Sequence, residues 1–203
     1  MTEKSRWVAI TETNPDHSTW YVERFRSMAA AGDDLAGEAR FVDAMAPRGA
    51  RILDAGCGPG RVGSALAAAG HDVVGVDVDP VLIAAAEQDH PGPRWLVGDL
   101  AELDLPGRGI DEGFDVIVSA GNVMTFLAPS TREEVLRRLR RHLRDDGRLA
   151  VGFGLGREYE LDDFLSDVDA AGLQRDLLLS TWDLRPFTDG SEFVVAVLSA
   201  ASG

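Results

Sequence analysis

The chain has 203 residues, 45% hydrophobic and 27% charged, enough to bury one full core with an ordinary globular composition. Its formal net charge of −14 opposes nucleic-acid backbones and anionic membranes, so neither is expected as a partner. One cysteine, Cys57, excludes an intramolecular disulfide and a cysteine-built metal site, and one lysine, Lys4, excludes a phosphate-gripping Walker loop.

No stretch approaches a membrane span, and the N-terminus lacks a signal peptide's apolar centre, which predicts a cytoplasmic protein. Up to about residue 47 the chain reads as helical. STWYVERFRSMAAA and DDLAGEARFVDAM carry apolar residues at helical spacing, split by Gly32. An alternation then begins. RILDA (51–55) reads as a buried strand, RVGSALAAAG as a helix ended by Gly70, and HDVVGVD (71–77) as a second strand. Asp79 and Pro80 supply an N-cap and a first helical residue for PVLIAAAEQ. RWLVGD (94–99) and FDVIVSA (114–120) are the third and fourth strands. Ser130 and Glu133 predict a capping box for the helix TREEVLRRLRRHL, with an apolar stripe of Val135, Leu136, Leu139 and Leu143. GRLAVGFG (147–154) is the fifth strand, and DDFLSDVDAAG is a helix closed by Gly172. Two last strands, around 174–185 and 192–199, flank the turn Thr188-Asp189-Gly190; Pro186 assigns the first to a sheet edge or bulge.

This order predicts an α/β, doubly wound Rossmann-like sheet with a reversed strand at one end and helices preceding it. The whole chain, 1–203, reads as one domain: a helical lid or acceptor segment over 1–47 and a cofactor-binding core over 48–199.

Ligands of open α/β sheets sit beyond the carboxyl ends of the strands. There this chain carries Asp54 to Gly60, then Asp77, Asp99, and Gly121 with Asn122. Asp77 can accept hydrogen bonds from both hydroxyls of a ribose, charge-assisted and about twice as strong as neutral ones. Asp99 is placed to reach an adenine amino group. Gly58-Pro59-Gly60-Arg61-Val62-Gly63 also satisfies the dinucleotide fingerprint, with Asp77 nineteen residues beyond Gly58. Three features favour S-adenosylmethionine instead. The glycine pattern starts earlier, at Gly56. Asp54 beside the loop suits an ammonium and a sulfonium better than a pyrophosphate. The closing hairpin belongs to no plain dinucleotide domain, and no second domain is there to hold a hydride acceptor.

The motifs DAGCGPGRVG, VVGVDVDPVLI, WLVGDLAEL and FDVIVSAGNVMTFL, in this order, resemble those of the class I S-adenosylmethionine-dependent methyltransferases. The resemblance covers about 47–199. It implies a seven-stranded sheet of order 3-2-1-4-5-7-6 with strand 7 antiparallel. It also implies S-adenosyl-L-methionine as cofactor and S-adenosyl-L-homocysteine as product. By the same resemblance, Gly56, Gly58 and Gly60 shape the loop at the methionine end, Asp54 orients that loop and the amino group, and Asp77 takes the ribose. Val78 packs on adenine, Asp99 and the backbone of Leu100 hold its edge, and Asn122 lies near the sulfonium. Ala120-Gly121-Asn122-Val123 departs from the fourth-strand motif of adenine-N6 DNA methyltransferases, so that subclass is not supported.

Further candidates are Tyr21 and Arg24 as cofactor or acceptor contacts, and Arg61 toward the methionine carboxylate, with a solvent-facing arginine as its equal rival. Cys57, inside the loop, reads as a packing residue. His17, grouped with Trp20, Tyr21, Arg24 and Phe25, is the candidate general base if the acceptor is a hydroxyl. The arginines at 137, 138, 140, 141 and 144 read as the polar side of an amphipathic helix. No metal cluster is expected. The predicted activity is direct in-line methyl transfer to a small-molecule acceptor. An NAD(P)-binding oxidoreductase and a non-catalytic cofactor-binding regulator stand as alternatives.

Overall fold

The computed structural model describes residues 2–201. Seven strands form one sheet in the order β3-β2-β1-β4-β5-β7-β6. They are β1 (Arg51–Ala55), β2 (Asp72–Asp77), β3 (Arg94–Val97), β4 (Phe114–Ser119), β5 (Leu143–Gly154), β6 (Leu173–Leu179) and β7 (Phe193–Ala200). The first five run parallel, with Leu53 facing both Val74 and Ile117, while β7 is antiparallel to β5 and β6. The expected fold and strand order are both present.

Alternation along the strands divides the core into two layers. Leu53, Val74, Val76 and Ile117 face α7 (Arg132–His142) and α8 (Leu161–Ala170), through Val135, Leu136, Leu139, Phe164 and Val168. Ile52, Val73, Val116 and Val118 face α3 (Gly37–Met45) and α4 (Arg61–Ala68), through Phe41, Val42, Val62 and Leu66. On the α4 side of β2, Trp95 lies against Ile83 and Ala86 of α5 (Pro80–Asp89). Its indole fits because Gly60, Gly63 and Gly75 carry no side chain. A Cβ on Gly75 would stand 2.3 Å from Trp95 Cε3.

The stretch read as helical opens with a separate short helix, α1 (Arg6–Thr13), capped by Ser5, ahead of α2 (His17–Ala30). Three local expectations are corrected. The capping box at Ser130 does not form. Pro129–Thr131 makes a 3-10 turn, the Ser130 hydroxyl donates to Glu3, and Glu133 pairs with Arg137. β5 starts earlier than expected, at Leu143, with an irregularity in its pairing to β4 before Arg148. β6 ends at Leu179: the Ser180 amide turns back to the Arg185 carbonyl, and Pro186 meets Leu179 as an isolated bridge. Pro186 therefore lies in the loop after the edge strand, and a short helix, α6 (Val123–Phe126), follows β4.

Candidate functional site

The carboxyl ends of β1, β2, β3 and β4 open onto a cleft of about 880 Å³ including its mouth. The floor is the loop after β1. Gly56, Gly58 and Gly60 all take left-handed backbone, at φ +83°, +54° and +85°, a conformation glycine adopts without steric cost. A Cβ on Gly56 would lie 2.3 Å from Val123, so this glycine also admits the β4 loop.

The loop's amides are already committed. Those of Gly56 and Cys57 donate to the Val76 carbonyl at 2.8 and 3.1 Å, and that of Gly60 to the Cys57 carbonyl at 3.0 Å. The Gly58 amide donates to Asp77 Oδ2 at 2.9 Å. The Gly63 amide, in the first turn of α4, donates to Asp54 Oδ2 at 2.9 Å. A pyrophosphate site needs such amides free at a helix N-terminus. Here β2 holds the amides of Gly56, Cys57 and Gly58, Asp54 holds that of Gly63 in the first turn of α4, and three carboxylates are among the groups lining the cleft.

Three carboxylates line it: Asp54, Asp77 and Asp99. Asp54 is almost fully buried, and burial pushes its pKa up to about 7 against the Gly63 hydrogen bond. Asp77, at the end of β2, is pushed up to about 6, again chiefly by burial, with the Asp79 and Gly58 amides opposing. Its Oδ1 accepts from the Asp79 amide at 2.9 Å and its Oδ2 from Gly58. Each oxygen keeps a lone pair, enough for two neighbouring hydroxyls. Asp99 turns one oxygen to the Ala101 amide at 2.9 Å. An acceptor-rich, desolvated cleft of this kind fits a cationic ribonucleoside and opposes a polyanion.

Tyr21, Gly56, Cys57, Gly58, Arg61, Val78 and Leu100 also line the cleft, as the sequence suggested. Burial raises the pKa of Tyr21 and, much further, that of the Cys57 thiol, which packs with Trp95 and is no nucleophile. Arg61 is not solvent-facing. Its guanidinium makes a bidentate pair with Glu38 at 2.6 and 2.7 Å, with its cation 5.5 Å from the Phe25 ring centre, and ties α3 to α4. It therefore brings no free positive charge to the cleft.

Four expected residues stand outside the cleft wall. His17 packs on the Trp7 ring at 5.1 Å and stacks on Trp20 at 5.4 Å. Arg24 is exposed on α2, its guanidinium 5.9 Å from the ring centres of both Trp20 and Phe25. Gly60 faces Trp95 and Ala86, so its glycine serves packing as well as the turn. Asn122, itself left-handed at φ +66°, spends its side-chain oxygen on the Gly154 amide at 2.7 Å and pins the β4 loop to β5.

The sequence reading missed Ser5 and Trp7 on α1 and its approach, and Leu82, Phe126 and Leu127. Ser5 followed by Trp7, Val8 and Ile10 carried a short helix signal. Its position over the cleft is a tertiary fact. Trp7 donates from Nε1 to Asp79 Oδ2 at 2.8 Å and meets Tyr21 and Phe126 edge-on at 5.2 and 5.6 Å. On the far side of the sheet, Arg137, Arg138 and Arg141 of α7 pair with Glu133 and Glu134, and Arg144 with Asp115, so the charge of these four is locally compensated.

Residues 52–147 match the methyltransferase domain family. A solved TehB-like SAM-dependent methyltransferase from Corynebacterium glutamicum is 53% identical to this chain, superposes with a TM-score of 0.86, and covers 92% of this chain and 100% of its own. Among curated proteins, a putative methyltransferase of Bacillus subtilis is 26% identical over 55% of this chain and 47% of its own length. A magnesium-protoporphyrin O-methyltransferase of Rhodobacter capsulatus is 37% identical over 40% of this chain and 36% of its own. The chain thus spans between 30% and 47% of the length of the first curated relatives it matches.

Proposed function

Because the chain belongs to the class I S-adenosylmethionine-dependent methyltransferases, we propose that it transfers a methyl group from that cofactor to a small-molecule acceptor by direct in-line displacement. When bound, the cofactor supplies an electrophilic methyl on a positively charged sulfur. Asp77 takes the ribose hydroxyls on its two remaining lone pairs. Asp99 and the Leu100 backbone take the adenine edge, with Val78 on its face. Asp54 holds the α4 amide beside the methionine end, where a bound cation favours its ionised form. The helical segment over 1–47 acts as lid and acceptor wall above the core over 48–199: Trp7, Tyr21 and Phe25 exclude water from it. Alignment and water exclusion are the protein's main contribution, so the acceptor's nucleophile needs no triad and no metal.

The observation that carries this reading is the loop whose amides are consumed by Val76, Asp77 and Asp54, beside a cleft lined with carboxylates. It supports a cationic nucleoside over a dinucleotide. The negative lining and aromatic walls favour an uncharged or cationic acceptor of small size over a polyanion. Thermal shift with separate additions of S-adenosylhomocysteine and NAD tests it. A ligand at 100 times its dissociation constant adds about 2.7 kcal/mol, a midpoint rise of several degrees. Stabilisation by NAD alone would overturn the reading. Methyl transfer is then read by product mass with a panel of small amines, phenols and thiols.

A further inference from the structure

Residues 2–18 cross the rim of the cleft, and their polar attachments differ sharply in kind. Three ties are exposed at the surface: Thr2 Oγ1 donates to Glu102 at 2.8 Å, Ser130 donates to Glu3, and Arg6 pairs with Glu158 at 3.0 Å. Exposed pairs of this type hold weakly. The fourth is buried. Asp79, 5% exposed in the loop after β2, receives the indole N–H of Trp7 from α1 and the hydroxyl of Ser18 from α2 on one oxygen. Its other oxygen caps α5 through the Val81 amide at 2.8 Å. Its own amide donates to Asp77 Oδ1 at 2.9 Å. One residue thus joins both N-terminal helices to the carboxylate assigned to the ribose.

We propose that Asp79 is a positioning residue for cofactor capture: it seats α1 and α2 on the rim so that Trp7 and Tyr21 close the cleft over a nucleoside held by Asp77. The inference rests on the function proposed above and adds a residue that touches neither cofactor nor acceptor. Its chemistry follows from the donor count. A carboxylate oxygen accepts two N–H or O–H donors at once, whereas an amide nitrogen in its place would meet the Trp7 and Ser18 donors head-on. With that seat lost, the surface ties and the apolar packing of Trp7 on Leu82, Ala85 and Phe126 remain, without the buried polar contacts that fix where the aromatic wall sits. Asp77 would still hold the ribose, so capture weakens through faster release.

Asp79→Asn and Ser18→Ala test this, the second being the milder change and outside the cleft wall. Release of S-adenosylhomocysteine is followed by stopped-flow tryptophan fluorescence. Both variants should release it faster, Asp79→Asn about tenfold and Ser18→Ala severalfold, with the association rate changed less than about twofold. In the ligand-free protein, amide exchange over 6–13 should quicken in both while β1 and β4 stay protected. The double variant should release no faster than Asp79→Asn alone, because both act through one contact. Wild-type release rates in a folded Ser18→Ala protein would overturn the proposal, and this variant carries the test if Asp79→Asn does not fold. Wild-type protein that fails to bind S-adenosylhomocysteine overturns the function above as well. Unchanged release from the variants overturns this inference alone.

Discussion

Cofactor affinity should depend on pH through Asp77. Burial lifts its pKa from 3.8 to about 6 in the ligand-free protein. Both of its oxygens already accept backbone amides, from Gly58 and Asp79. A proton on either would occupy a lone pair needed by a ribose hydroxyl, so the ionised form binds. Below the pKa each pH unit therefore weakens binding tenfold, and S-adenosylhomocysteine should bind about tenfold more weakly at pH 5 than at pH 7, about 1.4 kcal/mol. Isothermal titration between about pH 5 and 8 measures this, with protein folding checked at each point. Asp77→Asn removes the titrating group, leaving one amide without its acceptor; affinity should fall overall and lose that slope. Stability of the ligand-free protein runs the other way. The folded-state values of Asp77 and Asp54 lie above the unfolded ones, so their stabilising contribution is full below about pH 4. It is lost as pH rises through about 6 and then 7. Equal wild-type affinity at pH 5 and 7, or the same slope in Asp77→Asn, would refute the assignment of the ribose to this carboxylate.

Other outcomes follow from the packing around the loop. Gly56→Ala meets Val123 at 2.3 Å and must hold φ +83°, where a side chain costs about 1–2 kcal/mol; cofactor binding should be lost, and Val123→Ala should restore part of it, read by thermal shift with and without S-adenosylhomocysteine. Gly75→Ala drives a methyl into the Trp95 ring and should destabilise the protein by about 1–3 kcal/mol in urea unfolding, with little effect on a companion Gly49→Ala beyond its backbone strain. Glu38→Gln breaks a bidentate pair whose side chains are 17% and 19% exposed, and should cost about 2 kcal/mol of stability. Burial alone would raise the pKa of Glu38, but the Arg61 hydrogen bonds and charge outweigh it and lower it. The contribution of the pair is therefore present above about pH 4.5 and lost as pH falls through the folded value, a loss the variant should not show in acid titration.

The two halves of the chain differ in what their residues disclosed. β1 to β4 were legible because parallel strands buried on both faces read as short apolar runs ended by carboxylates and glycines. RILDA is a strand over the expected residues, and Asp79 caps α5 as its place before Pro80 implied. After β4 the local signals misled. Ser130 and Glu133 had the capping spacing, but Pro129 started a 3-10 turn and Arg137 took Glu133. The run 174–185 looked continuous, yet the chain folds back after Leu179.

The sequence by itself determined the fold class, the cofactor family and the acidic residues at the strand ends, since these follow from period, spacing and residue chemistry along the chain. Tertiary structure alone decided where the side chains went. It turned Arg61 onto Glu38, Asn122 onto Gly154 and His17 onto Trp7 and Trp20, and it brought Trp7 and Ser18 to Asp79 across separations of 72 and 61 residues. The reason is physical. A strand's hydrophobic period is written in neighbouring residues, whereas a buried donor takes whichever acceptor the folded chain brings within reach.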